Sequence, residues 1–233
     1  MVMKTIKQVF GEFLKEQRGR LKSGTVRGYE DAIRLFEGYM NGYAANYLDK
    51  KERAGLRKAE EEDKKEFCEL FGPDRIGSSD ISEFLDYYMI KKVIGSKELM
   101  KTVGTVMRKL VKWMHDKGYM DEDEFEASEL TVDELKDDLP AVAEMADRIF
   151  ELIEDSPPEE KVGEERDSYF RITRIAPGKL WFEDYMTGGK EIGPVPVSGE
   201  ISAGCKEGWV ICLTLRRTRR GWRMLQVGNV YPG

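Results

Sequence analysis

Long apolar runs are missing from this 233-residue chain. None approaches the roughly 18 residues that a membrane span needs, and no membrane partner is expected. Cysteine is scarce: Cys68, Cys205 and Cys212 are odd in number and scattered. They support neither a disulfide framework nor a zinc site, which usually takes four Cys or His ligands. A reducing compartment fits, with no metal and no cofactor. Histidine occurs once, as His115, and Asn and Gln together only six times beside abundant Lys and Glu, a bias seen in thermophile proteins. There is no P-loop, no G-x-G-x-x-G after a strand, no H-E-x-x-H and no nucleophile elbow. The start, MVMKTIKQVF, has neither an h-region nor a small-residue cleavage site, so a cytoplasmic protein is expected.

What is present is charge, unevenly placed. The net charge is −6. Residues 1–120 hold 24 Lys/Arg against 19 Asp/Glu, residues 121–167 hold 4 against 20, and residues 168–233 hold 10 against 5. Two mildly basic modules thus flank an acidic stretch, and binding to a polyanion depends on local potential rather than on the sum.

The first module reads as helices. Thr5 and Gln8 form a capping box, followed by Ile6, Val9, Phe10, Phe13 and Leu14 on one face. Ser23-Gly24-Thr25 is expected to cap a second helix carrying Tyr29, Ile33, Phe36 and Met40 inward. Residues 44–77 are a charged insertion with a few apolar anchors (Leu48, Leu56, Phe67, Leu70, Phe71). Ser78, Ser79 and Asp80 cap a third helix with Ile81, Phe84, Leu85, Tyr88 and Met89 inward. In SKELMKTVGTVMRKLVKWMHDKGYM, Leu99, Val103, Val106, Met107, Leu110, Trp113 and Met114 recur every three or four residues. That spacing is the apolar stripe of an α-helix. Ser96 suits its N-cap and Gly118 its left-handed stop. The opposite face carries Lys97, Lys101, Arg108, Lys109 and Lys112.

Residues 121–167 read as an acidic helical connector, with a capping box at Thr131–Glu134, Pro140 in a first turn and a linker over 155–168. From residue 168 the period falls to two, predicting strands near 169–175, 179–185, 191–197, 209–215 and 222–227. The expected fold is α+β: an N-terminal all-α bundle over 1–120, the connector, and a five-stranded β-barrel of OB or SH3-like type over 168–233.

The order of the helical segments resembles the core-binding, SAM-like domain of tyrosine recombinases (phage integrases). The likeness rests on residues 5–13, SGTVRGYEDAIRLFEGYM, SSDISEFLDYYMIKK and the long Ser96 helix ending in a Trp and a Gly, interrupted by the 44–77 insertion. It implies a DNA clamp and places Lys22, Thr25, Arg27, Ser96, Lys97, Lys101 and Arg108 toward DNA. A recombinase also needs a His-x-x-Arg pair and a nucleophilic tyrosine domain. Here His115 is followed by Asp116-Lys117-Gly118, so no recombinase catalysis is expected. The second basic feature is RRTRRGWR. Arg216, Arg217, Arg219 and Arg220 at a hairpin tip suit phosphates, and Trp222 suits stacking on a base. Charge at a hairpin tip also protects a sheet edge, with Trp222 then in the core. The acidic stretch is either a solvated spacer or a segment that folds back on a basic module and competes with nucleic acid. The expectation is a non-catalytic nucleic-acid-binding protein, DNA in preference to RNA. The alternative is a protein–protein adaptor, with the oligomeric state open.

Overall fold

Thr5 starts the first helix. Its hydroxyl accepts from the Gln8 amide at 3.4 Å, and the Gln8 side chain accepts from the Thr5 amide at 3.0 Å. The computed structural model describes residues 4–93, 95–156 and 163–233. They fall into two units: a helical one, running through Met89 and then over Glu98–Asp137, and a sheet unit of Ile90–Lys97 and Asp138–Gly233.

The helical unit begins with α1 (Ile6–Arg18), α2 (Ser23–Tyr43) and a 3-10 turn (Ala44–Tyr47). The insertion adds α3 (Lys50–Asp63), α4 (Phe67–Leu70) and a second 3-10 turn (Pro73–Arg75). Next, α5 (Ser78–Ser82) runs through a π-helical segment (Glu83–Tyr88) into α6 (Met89–Lys92). The long α7 (Lys97–Asp116) and α8 (Glu122–Leu135) follow. The apolar stripes meet as the spacing requires, with Phe10, Phe13, Tyr29, Phe36, Phe84, Val106, Leu110 and Met114 all buried. The Phe36 ring lies 5.7 Å from Phe10 and 4.9 Å from Phe84. Each such side chain contributes roughly 1.5–3 kcal/mol by leaving water. Two phenols, Tyr39 and Tyr47, donate to the same Glu83 carboxylate oxygen at 2.8 Å each. In the insertion Leu48, Leu56 and Phe67 are buried while Leu70 stays exposed. Gly118 has φ +73° and ends α7.

Three expected caps are corrected. Ser78 and Ser79 lie inside α5, whose N-cap is Gly77, and of the three expected capping residues Asp80 alone serves it, its carboxylate accepting from the Gly77 amide at 3.0 Å. Ser23 lies inside α2, whose N-cap is Lys22 with no side-chain hydrogen bond. Thr131 lies inside α8 and donates to the Ala127 carbonyl at 2.9 Å, as a helical threonine can. The cap of α8 is Asp121, which accepts from the Glu124 amide at 2.9 Å.

The stretch 121–167 is divided between the units. α8 belongs to the helical unit, with Ser128 and Val132 buried and Glu124 accepting from the Ser78 amide. α9 (Asp138–Glu154) belongs to the sheet unit, with Val142, Met145 and Ile149 in its core. Most of the linker expected over 155–168 falls on 157–162, outside the described residues. Counted by unit, the helical part holds 22 Lys/Arg and 28 Asp/Glu, and the sheet part 16 of each.

The sheet is antiparallel, in the order β3-β2-β1-β4-β5. Its strands are β1 (Glu165–Ala176), β2 (Lys179–Asp184), β3 (Ile192–Pro196), β4 (Val210–Thr218) and β5 (Gly221–Tyr231), with α10 (Gly199–Gly204) before β4. Five strands were expected at these places, but the barrel is corrected. β3 and β5 are edges with no ladder between them, so the sheet is open. Alternation specifies a strand's inner face but not closure, which also needs consistent tilt and stagger. Instead α9 packs against β5, and its Val142, Met145 and Ile149 share one core with Phe170, Phe182, Ile211 and Leu213. α10 packs on α9 so closely that a Cβ on Gly204 would lie 2.8 Å from Met145 Cε.

Candidate nucleic-acid interface

On α7, Lys101, Thr105, Arg108 and Lys112 follow one another at intervals of four, three and four, and all four are exposed. The stripe is about 16 Å long at 1.5 Å per residue. α2 borders it on one side: a Cβ on Gly28 would stand 3.0 Å from Thr102 Cγ2. Farther along, the Lys109 ammonium lies 5.7 Å above the Tyr29 ring. On the other side is the end of α8, where the Lys136 backbone sits against Gly104. Between α7 and α8 runs a groove of about 440 Å³ lined by Lys101, Arg108, Lys109, Lys112 and Lys136, with Glu129 and Asp137.

Asp133 of α8 enters this basic cluster. Its carboxylate takes the Arg108 guanidinium at 3.0 Å and the Lys136 ammonium at 2.6 Å. The Lys136 hydrogen bond, with Arg108 adding to it, holds the Asp133 carboxyl below the usual carboxylate range. One acidic residue thus occupies two of the five cations of the groove. Sequence reasoning misses Lys136, an isolated lysine within an acidic stretch; nothing in its neighbours marks it.

The other expected contacts disperse. Lys22, Thr25 and Arg27 stand exposed at the start of α2, with no ion pair among the described residues. Ser96 and Lys97 fall in the sheet unit. There Lys97 is ion-paired to Glu144 of α9, and that contact together with Arg148 holds the Glu144 carboxyl below its ordinary value.

In the sheet unit the arginines do lie at a hairpin tip, a two-residue turn of Arg219 and Arg220. The Thr218 hydroxyl closes it, donating to the Gly221 carbonyl at 2.9 Å and accepting from the Arg220 amide at 3.2 Å. Gly221 has φ +115°, a conformation that suits glycine. Arg217, Arg219 and Arg220 are exposed. Arg216 is half-buried in a two-pronged pair with Glu165, both contacts 3.0 Å. Trp222 is corrected as a stacking platform. It is only 8% exposed within the sheet core. The guanidiniums of Arg217 and Arg166 stand 5.6 and 5.9 Å from its ring.

No helix of the described residues is long and apolar enough to cross a membrane. Comparison with protein-family models, with curated proteins and with solved structures finds no match to this chain.

Proposed function

We propose that this protein binds nucleic acid without acting on it chemically, and that it grips the phosphate backbone of duplex DNA along the exposed stripe of α7. The observation that carries the reading is the alignment of Lys101, Arg108 and Lys112 beside Lys109 and Lys136 along one groove. Ammonium and guanidinium groups spaced along a helix meet successive phosphates and release condensed counterions. The exposed Lys22 and Arg27 of α2 extend the same chemistry. The likeness of these helices to the recombinase core-binding domain is part of this proposal. The hairpin arginines form a second phosphate-binding element that favours no particular base.

The test is fluorescence anisotropy of the full chain with labelled duplex and single-stranded oligonucleotides at two salt concentrations. Lys101→Glu/Lys112→Glu should weaken duplex binding at least tenfold at low salt. It should also lower the slope of log affinity against log salt by about two. Absence of binding by the full chain at low salt sinks the proposal and favours the adaptor reading.

A further inference from the structure

The outward face of the sheet has no part in the reading above. Along β2, Leu180 and Phe182 are buried in the core, so alternation turns Lys179, Trp181, Glu183 and Tyr185 to the other face. β1 sets Arg171 opposite Glu183 and Arg174 opposite Trp181. The Arg174 guanidinium lies over the Trp181 ring, 3.9 Å from its centre, and Glu191 holds it there at 3.0 Å. Gly193 of β3 comes so close to this indole that a Cβ on it would fall 2.5 Å from Trp181 Cδ1, and its φ of +153° suits glycine. The Arg171 guanidinium lies 4.8 Å over the Tyr185 ring, and Tyr185 is 51% exposed. The face thus carries two arginine–aromatic stacks about 13 Å apart along β2, at some 3.3 Å per residue. Bases stack on aromatic rings and on guanidinium planes, largely whatever the base. Lys179 and Arg171 are exposed and make no ion pair among the described residues. With Arg174 they set three cations on this part of the face against the carboxylates of Glu183 and Glu191, a balance that suits a polyanion.

We infer that this face stacks the bases of a DNA single strand, one on the Arg171–Tyr185 pair and another on the Arg174–Trp181 pair, with Lys179 meeting its phosphates. Only the choice of DNA rests on the reading of α7. Fluorescence anisotropy of the full chain at low salt tests the inference. The probes are labelled oligo(dT), an abasic strand of equal length, oligo(rU) and a duplex. Oligo(dT) should bind at least tenfold tighter than the abasic strand, which has the same phosphates and no bases. Tyr185→Ala should weaken oligo(dT) binding at least fivefold, as loss of one stacking platform does, and leave the abasic strand and the circular dichroism unchanged. Tyr185→Phe, which keeps the ring, should hold the affinity within twofold. Lys101→Glu/Lys112→Glu, directed at α7, should cost the duplex far more than oligo(dT). Equal affinity for the abasic strand, full affinity in a folded Tyr185→Ala variant, or oligo(rU) bound tenfold tighter than oligo(dT) overturns the inference. A duplex bound while oligo(dT) is not overturns it as well and leaves the α7 reading standing. Oligo(dT) bound through Tyr185 while the duplex is not does the reverse.

Discussion

A Cβ placed on Gly104 would stand 3.1 Å from the Lys136 Cα and 3.3 Å from its carbonyl oxygen. Backbone yields less readily than a side chain, so α7 and the end of α8 depend on this glycine for their approach. Gly104→Val should cost about 1–3 kcal/mol in denaturant unfolding, as overpacking does. Gly11, midway along α1, has nothing within 4 Å of its would-be Cβ. Gly11→Ala should instead raise stability by up to about 1 kcal/mol. Equal effects at both sites would show that the contact is unimportant.

Asp133 neutralises Arg108 and Lys136 in the groove. Asp133→Asn should tighten duplex binding and steepen the salt dependence, by up to about one in the log–log slope. Anisotropy titrations over a salt series read both. Unchanged affinity would place the duplex elsewhere on the protein.

The hairpin separates two roles that its sequence runs together. Trp222→Ala should destabilise the protein by about 3–5 kcal/mol, as loss of a buried aromatic does. Arg219→Ala/Arg220→Ala, at exposed positions, should stay within about 0.5 kcal/mol and lower only the affinity for oligonucleotides. Thermal melts and binding isotherms on the same samples distinguish the two.

Burial pushes the Asp86 carboxyl above its ordinary value, although the Ser82 hydroxyl donates to it at 3.0 Å, and neighbouring Glu83 adds to the rise. A carboxyl that is harder to ionise in the folded state contributes most stability below the ordinary carboxylate range and loses it as pH rises through the folded value. Asp86→Asn keeps an acceptor for Ser82 and removes the charge. It should raise the melting temperature at pH 7, and the gain should shrink as pH falls toward 4. A gain of the same size at both values would assign the effect to something other than ionisation.

The helices were legible because their apolar residues repeat every three or four positions, and the strands because theirs alternate. Less local features were not. On composition the acidic stretch from Asp121 reads either as a solvated spacer or as a segment folded back on a basic module, and composition does not choose between them. Glu124 and Asp133 point into the helical unit, at the Ser78 amide and at Arg108. Acidity says nothing about which partner a carboxylate meets. The same holds for Trp222. An indole next to arginines suits stacking on a base and burial under guanidiniums equally well, and only the inward direction of β5 decides. Sheet closure, too, is a property of edges brought together from distant sequence.

The division of charge between the units bears on how a polyanion would arrive. The helical unit as a whole is negative, while its α7 stripe is positive. At long range such a body repels DNA, and only an approach within about a Debye length, some 8 Å at physiological salt, brings the stripe's own field to dominate. Moderate salt then acts in two directions. It screens the distant repulsion and hastens encounter from unfavourable orientations, while it weakens the contact once made. On the helical unit, the arrangement would favour a polyanion that meets the α7 stripe directly over one that reaches the unit's other faces.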